Sequence, residues 1–104
     1  MRLLEPSMGE CIDRLSILAR KIEERPEDAK HWQEEESKII DYGGGLLKVS
    51  QIVRLAAVNA MIWEEMEKIA EDVTHPGHRA YLLNLRRAEL VALLSGQKES
   101  KEKL

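Results

Sequence analysis

The chain has 104 residues, 43% of them hydrophobic and 34% charged, with two Trp, two Tyr, no Phe and a net charge of −3. That is room for one domain rather than two, and a balance that excludes a disordered chain. Phosphate binding needs a clustered basic face; here the charges are interspersed and the only local basic excess is Arg79, Arg86 and Arg87, so nucleic acid is not an expected partner.

With so few aromatics the core must be aliphatic, and the lack of alternating apolar and polar runs argues against strands. The opening "MRLLEPSMGE" has no apolar signal core. The longest uncharged central run, Leu55 to Trp63, is nine residues, against about 20 for a membrane span, so no membrane contact is expected. A single cysteine, Cys11, permits no internal disulfide. It falls on an apolar stripe and reads as a small buried hydrophobe. A reducing cytoplasm is the expected setting.

"PSMGECIDRLSILARKIEE" carries the clearest start signal in the chain. Ser7 followed three residues later by Glu10 forms a capping box, in which each side chain satisfies a free backbone N–H. Met8, Cys11, Ile12, Leu15, Leu18, Ala19 and Ile22 recur at helical spacing, giving one apolar face, and Pro26 ends a helix over 7–24. Ile17, among the polar residues Glu10, Asp13, Arg14 and Lys21, hints at a second contact surface.

Pro26, Glu27 and Asp28 suit the first turn of a second helix, over 26–41. Its apolar face is thin (Ala29, Trp32, Ile39 and Ile40), so it should be the least buried. The run Glu34–Glu36 should face water, and Gly43 to Gly45 end the helix in a plain connection. The third helix, over about 48–71, is the longest at roughly 33 Å. Ile52, Leu55, Ala56, Ile62, Trp63, Met66, Ile69 and Ala70 form its stripe, with Asn59 at the centre. The fourth, over 77–95, has Pro76 near its start and Gly96 just past its end. It is apolar nearly all round, so it is either central to the fold or covered on its outer side by a second copy. The tail over 97–104 is charged, lacks periodicity and should fray. The expected fold is all-α, a four-helix bundle or paired helical hairpins, in a single domain over 1–96 that forms a dimer.

"SMGECIDRLSILARKIE", "AVNAMIWEEMEKI" and "YLLNLRRAEL" together resemble a small bacterial all-helical family of unknown function. They fit its S-x-G-E-x-x-D-[KR]-[IL]-[ST]-I-L, V-N-x-x-[IL]-W and Y-x-x-N-x-[KR]-R-A motifs. The resemblance implies a helical protein that accompanies surface-polysaccharide and glycosyltransferase genes, hence an accessory role in polysaccharide biosynthesis. This chain departs from the family's pattern at Ala19, where an acidic residue is frequent, and at Leu85, where a polar one is. The resemblance also marks Asn59, Asn84 and Arg87 as polar positions on otherwise apolar helices. A buried unpaired amide costs roughly 1–3 kcal/mol, so Asn59 should pair with Asn84 or Arg87. It would then fix register or oligomeric state; in the sharper reading Asn59, Trp63, Asn84 and Arg87 line a small-ligand pocket with Arg87 as anion anchor.

The best catalytic candidates are Glu10 with Asp13 and Glu64 with Glu67, carboxylates three apart that two adjacent helices could use to hold Mg²⁺ or Mn²⁺. All-α nucleotide pyrophosphohydrolases resemble this arrangement, with the pair order reversed. Glu10 and Asp13 point away from the first helix's apolar stripe, and Glu10 already has a capping role. His31 with Glu34 and Glu35, and His75 with His78, each lack the third ligand of a zinc site. No nucleophile triad, phosphate loop or paired cysteine motif is present. The favoured expectation is a non-enzymatic helical oligomer, with Ile17, Leu83, Leu90 and Leu94 as contacts to a second copy or a protein partner. A metal-dependent enzyme acting on a phosphorylated small molecule is the competitor.

Overall fold

The computed structural model describes residues 7–96; the charged tail expected to fray lies outside them. Four α-helices occur there: α1 (Met8–Glu24), α2 (Lys30–Ile40), α3 (Leu46–Glu71) and α4 (His78–Ser95). A 3₁₀ turn, Pro26–Asp28, precedes α2. No strand occurs among the described residues, and α3 is the longest helix at 26 residues. The fold is all-α.

The ends follow the local chemistry. Ser7 Oγ accepts the Glu10 N–H at 3.1 Å while Glu10 Oε1 accepts the Ser7 N–H at 2.8 Å, the expected capping box. At the other end of the chain Gly96 takes φ 68°, and its N–H caps the last carbonyls of α4. Two boundaries differ from expectation. Pro26 opens the 3₁₀ turn and α2 proper starts at Lys30, because Arg25, pushed out of the helical region before the proline (φ −135°, ψ 67°), redirects the chain. α3 starts at Leu46, directly after Gly45 turns the chain with φ 86°.

The chain gathers into two compact units that divide between Arg54 and Leu55. In the first unit Cys11, Leu15 and Leu46 form one buried cluster with Ile39, Ile40, Val49 and Val53 against it. Leu18, Ile22 and Ala29 form a second, joined by Trp32 and Ile39. Ile39 thus touches both clusters, and α1 buries Cys11, Leu15, Leu18, Ala19 and Ile22 of the stripe its spacing predicts, while Met8 and Ile12 at its start are exposed. Ile17 is exposed.

The second unit is the hairpin made by the later turns of α3 and by α4. Its core is Val58, Met61, Leu83 and Leu90, with Leu55 and Ile62 packed against it. The expected stripe on α3 is only partly the buried one. Leu55, Ile62 and Ile69 are half-buried, whereas Ile52, Ala56, Trp63, Met66 and Ala70 are exposed. Among the described helices α3 alone is long and apolar enough to cross a membrane by length and composition, since Lys48 and Arg54 are its only charged residues before Glu64.

The two methionines of this hairpin separate burial from mere hydrophobicity. Met61 is 1% exposed and Met66 50%. Met61→Ala is expected to cost about 2–5 kcal/mol in urea unfolding, and Met66→Ala about 0.5 kcal/mol or less.

Candidate functional site

The four residues proposed to line a pocket all belong to the second unit. Arg87 Nε donates to Asn59 Oδ1 at 3.1 Å, so of the two partners expected for Asn59 the structure selects Arg87. Asn84 instead turns to its own helix, its Nδ2 donating to the Ala80 carbonyl at 2.9 Å. Trp63 follows Asn59 by four residues and Asn84 precedes Arg87 by three, so each shares a helix side with its neighbour. All four are exposed, Trp63 at 67%. Asn59 is therefore not a core amide, and the four residues lie on an open surface. The reason is phase: the hairpin buries the side of α3 that carries Val58, Met61 and Glu65, leaving the Asn59 side out.

The expected contact residues divide. Leu83 and Leu90 are 6% and 2% exposed and are consumed by the hairpin's own core, which corrects their assignment to an outside interface. Leu94 is half-buried and Ile17 lies free on α1. In their place α4 exposes Tyr81, Leu82, Leu85, Val91 and Leu93.

Glu10, Asp13, Glu64 and Glu67 are all exposed, and Glu10 is committed to the capping box. Among the described residues no group of three or more His, Cys, Asp or Glu is placed to hold a metal ion. His31 lies 3.8 Å from Glu35, and His78 stacks on Tyr81.

Two buried charge clusters went unforeseen. In the first unit Arg54 donates from Nε and Nη2 to both oxygens of Glu36, at 3.0 and 2.8 Å, and from Nη1 to Glu23 at 2.7 Å. One guanidinium thereby ties α1, α2 and α3 together. Burial alone would lower the Arg54 pKa, but the hydrogen bonds to Glu36 and Glu23 outweigh it and raise it. Glu36, expected in water with Glu34, is 7% exposed, because this bidentate pairing draws it inward.

In the second unit the Glu65 carboxylate, 3% exposed, accepts from His75 Nε2 at 3.0 Å and from Lys68 Nζ at 3.2 Å. Arg79 Nε lies 3.3 Å away. One anion thus joins α3, the connection after it and the first turn of α4. The His75 bond holds Glu65 below its ordinary value of 4.5 against the opposing effect of burial, with help from Lys68. Every buried side-chain nitrogen or oxygen among the described residues is hydrogen-bonded. The one sequence signal for these clusters was position: Glu23 follows the apolar Ala19 by four residues and Arg54 interrupts an apolar run.

No family profile, curated protein or solved structure matches the chain.

Removing one partner of a buried pair strands the other. Arg54→Met is expected to destabilise the protein by about 3 kcal/mol, while the triple variant Glu23→Leu, Glu36→Leu, Arg54→Met should melt at or above the parent temperature; calorimetric melts of both check this. For Glu65 the folded-state pKa is depressed, so its stabilisation is complete above the unfolded value of 4.5 and is lost as pH falls through the lower folded value. The melting-temperature gap between the parent and Glu65→Gln should close as pH falls below about 4.5 and through the lower folded value.

Proposed function

We propose that this chain is a non-enzymatic helical association protein that acts as a homodimer joined through its second unit. The observation that carries the reading is the surface of α4. That helix is apolar nearly all round, yet buries only Ala80, Leu83 and Leu90. Tyr81, Leu82, Leu85, Val91 and Leu93 are left between 41% and 60% exposed. A helix whose free side faces water is expected to be polar there, and monomers seldom expose contiguous apolar patches beyond a few hundred Å². Of the two explanations for such a helix, a central place within its own fold does not account for this exposure, whereas a covering second copy does.

Trp63 and Met66 add to the same hairpin two large side chains at 67% and 50% exposure. Tryptophan is among the residues most enriched where partners meet, because it buries a large area at little entropic cost. Homodimers close with twofold symmetry and bury surfaces more apolar than ordinary protein exteriors, which is the character of this hairpin.

Sedimentation equilibrium should give a dimer mass. Trp63→Glu should return the protein to monomer with its far-ultraviolet circular dichroism unchanged, because Trp63 supports no core of its own chain. A parent protein that stays monomeric across the accessible concentration range would end this reading.

A further inference from the structure

We propose that the two copies are related by a twofold axis passing through Trp63, so that their α3 helices run antiparallel and Glu67 of each copy meets the Asn59–Arg87 pair of the other. This rests on the self-association proposed above and supplies its geometry.

Asn59, Trp63 and Glu67 are spaced four apart and form one row along α3, and all three are exposed. At one end of the row stands a cation: Arg87 is held there by its 3.1 Å bond to Asn59. It has no carboxylate partner among the described residues. At the other end stands Glu67, which makes no hydrogen bond or ion pair among the described residues. Three other cations of this hairpin are paired, Arg86 with Glu89, and Lys68 and Arg79 with Glu65. Two opposite charges without ion-pair partners thus bracket one exposed indole.

The row is its own complement. Glu67 lies eight residues from Asn59, about 12 Å along the helix, with Trp63 midway. A half-turn about an axis through Trp63 lays indole on indole and carries each Glu67 over the other copy's Asn59 and Arg87. Two guanidinium–carboxylate contacts form at once, one on either side of the tryptophans. The Asn59 Nδ2 donors, unused among the described residues, add a further hydrogen bond to the incoming carboxylate. A parallel arrangement would instead set Arg87 against Arg87 and Glu67 against Glu67, which like-charge repulsion disfavours. Met66, three residues beyond Trp63, and Val91, four beyond Arg87, flank the row with exposed apolar surface and exclude water from the charge pairs.

The test is a charge exchange read as the dimer dissociation constant. Arg87→Glu and Glu67→Arg are each expected to weaken the dimer about tenfold or more, and the double variant to recover to within about threefold of the parent. Both positions are exposed, so circular dichroism should report intact helices throughout. Should a reversal unfold the chain, Arg87→Gln and Glu67→Gln carry the same test. Each should weaken the dimer, and combining them should cost no more than either alone. Single variants as tight as the parent, or a double exchange no tighter than the singles, would overturn the antiparallel arrangement while leaving self-association standing. A monomeric parent would remove both.

Discussion

Arg54 donates to Glu36 through two nitrogens and to Glu23 through a third, so three helices of the first unit meet on one guanidinium. Glu65 repeats the device in the second unit with the signs exchanged, one carboxylate gathering Lys68, His75 and Arg79. Both lie on α3. Bringing such groups out of water costs several kcal/mol each, and that cost is offset because no buried side-chain nitrogen or oxygen among the described residues lacks a hydrogen-bond partner. The consequence for α3 is an inversion of polarity. Its buried positions are Leu46, Ser50, Val58, Met61 and Glu65, while Ile52, Trp63 and Met66 stand in solvent. Surface that would close an ordinary core is therefore left exposed.

That inversion also explains what could be read from the sequence. α1 was legible in its bounds and in most of its buried stripe, because its capping box, apolar spacing and terminating proline agree with one another, and agreement between levels is what makes a segment predictable. α3 was legible as a helix but not in its rotation. Apolar residues surround it, so periodicity gives no strong direction, and the buried face contains a glutamate that any hydrophobic template counts as exposed. The mistaken phase placed Asn59 inside. The same blindness hid Glu36, which sits in an acidic run whose neighbour Glu34 is solvated; only the arrival of Arg54 from a residue eighteen positions away distinguishes the two. Long-range pairing of this kind leaves no local mark. The Arg87–Asn59 contact was partly legible, because both residues interrupt apolar helices and an interrupting polar group needs a partner.

Buried ion clusters do not make a fold stable by their presence, since well-packed apolar side chains of similar volume often do as well or better. Their effect is selective. An apolar helix can rotate or slide against its neighbours at small cost, whereas Arg54 satisfies Glu23 and Glu36 together in only one setting. The cores they accompany are small, with Val58, Met61, Leu83 and Leu90 forming the whole buried cluster of the hairpin. A hairpin with so little interior needs either directional interactions or added burial to hold one arrangement. Glu65 supplies the first at the turn end of the hairpin; the proposed second copy would supply the other along its open side.

An exposed apolar face also carries a hazard, because hydrophobic contact alone specifies neither partner nor register and invites open-ended aggregation. Polar groups set within such a face change that. Asn59 and Arg87 form a fixed donor array in the middle of apolar surface, and any occupant that covers them without offering an acceptor leaves a guanidinium desolvated and unpaired, a penalty of several kcal/mol. A partner that slides by one helical turn loses its acceptor and meets that penalty. The asparagine that looked misplaced in a core helix is thus suited to the surface where the structure puts it: in the proposed dimer it would make the apolar face selective, at the modest cost of one amide held by one arginine.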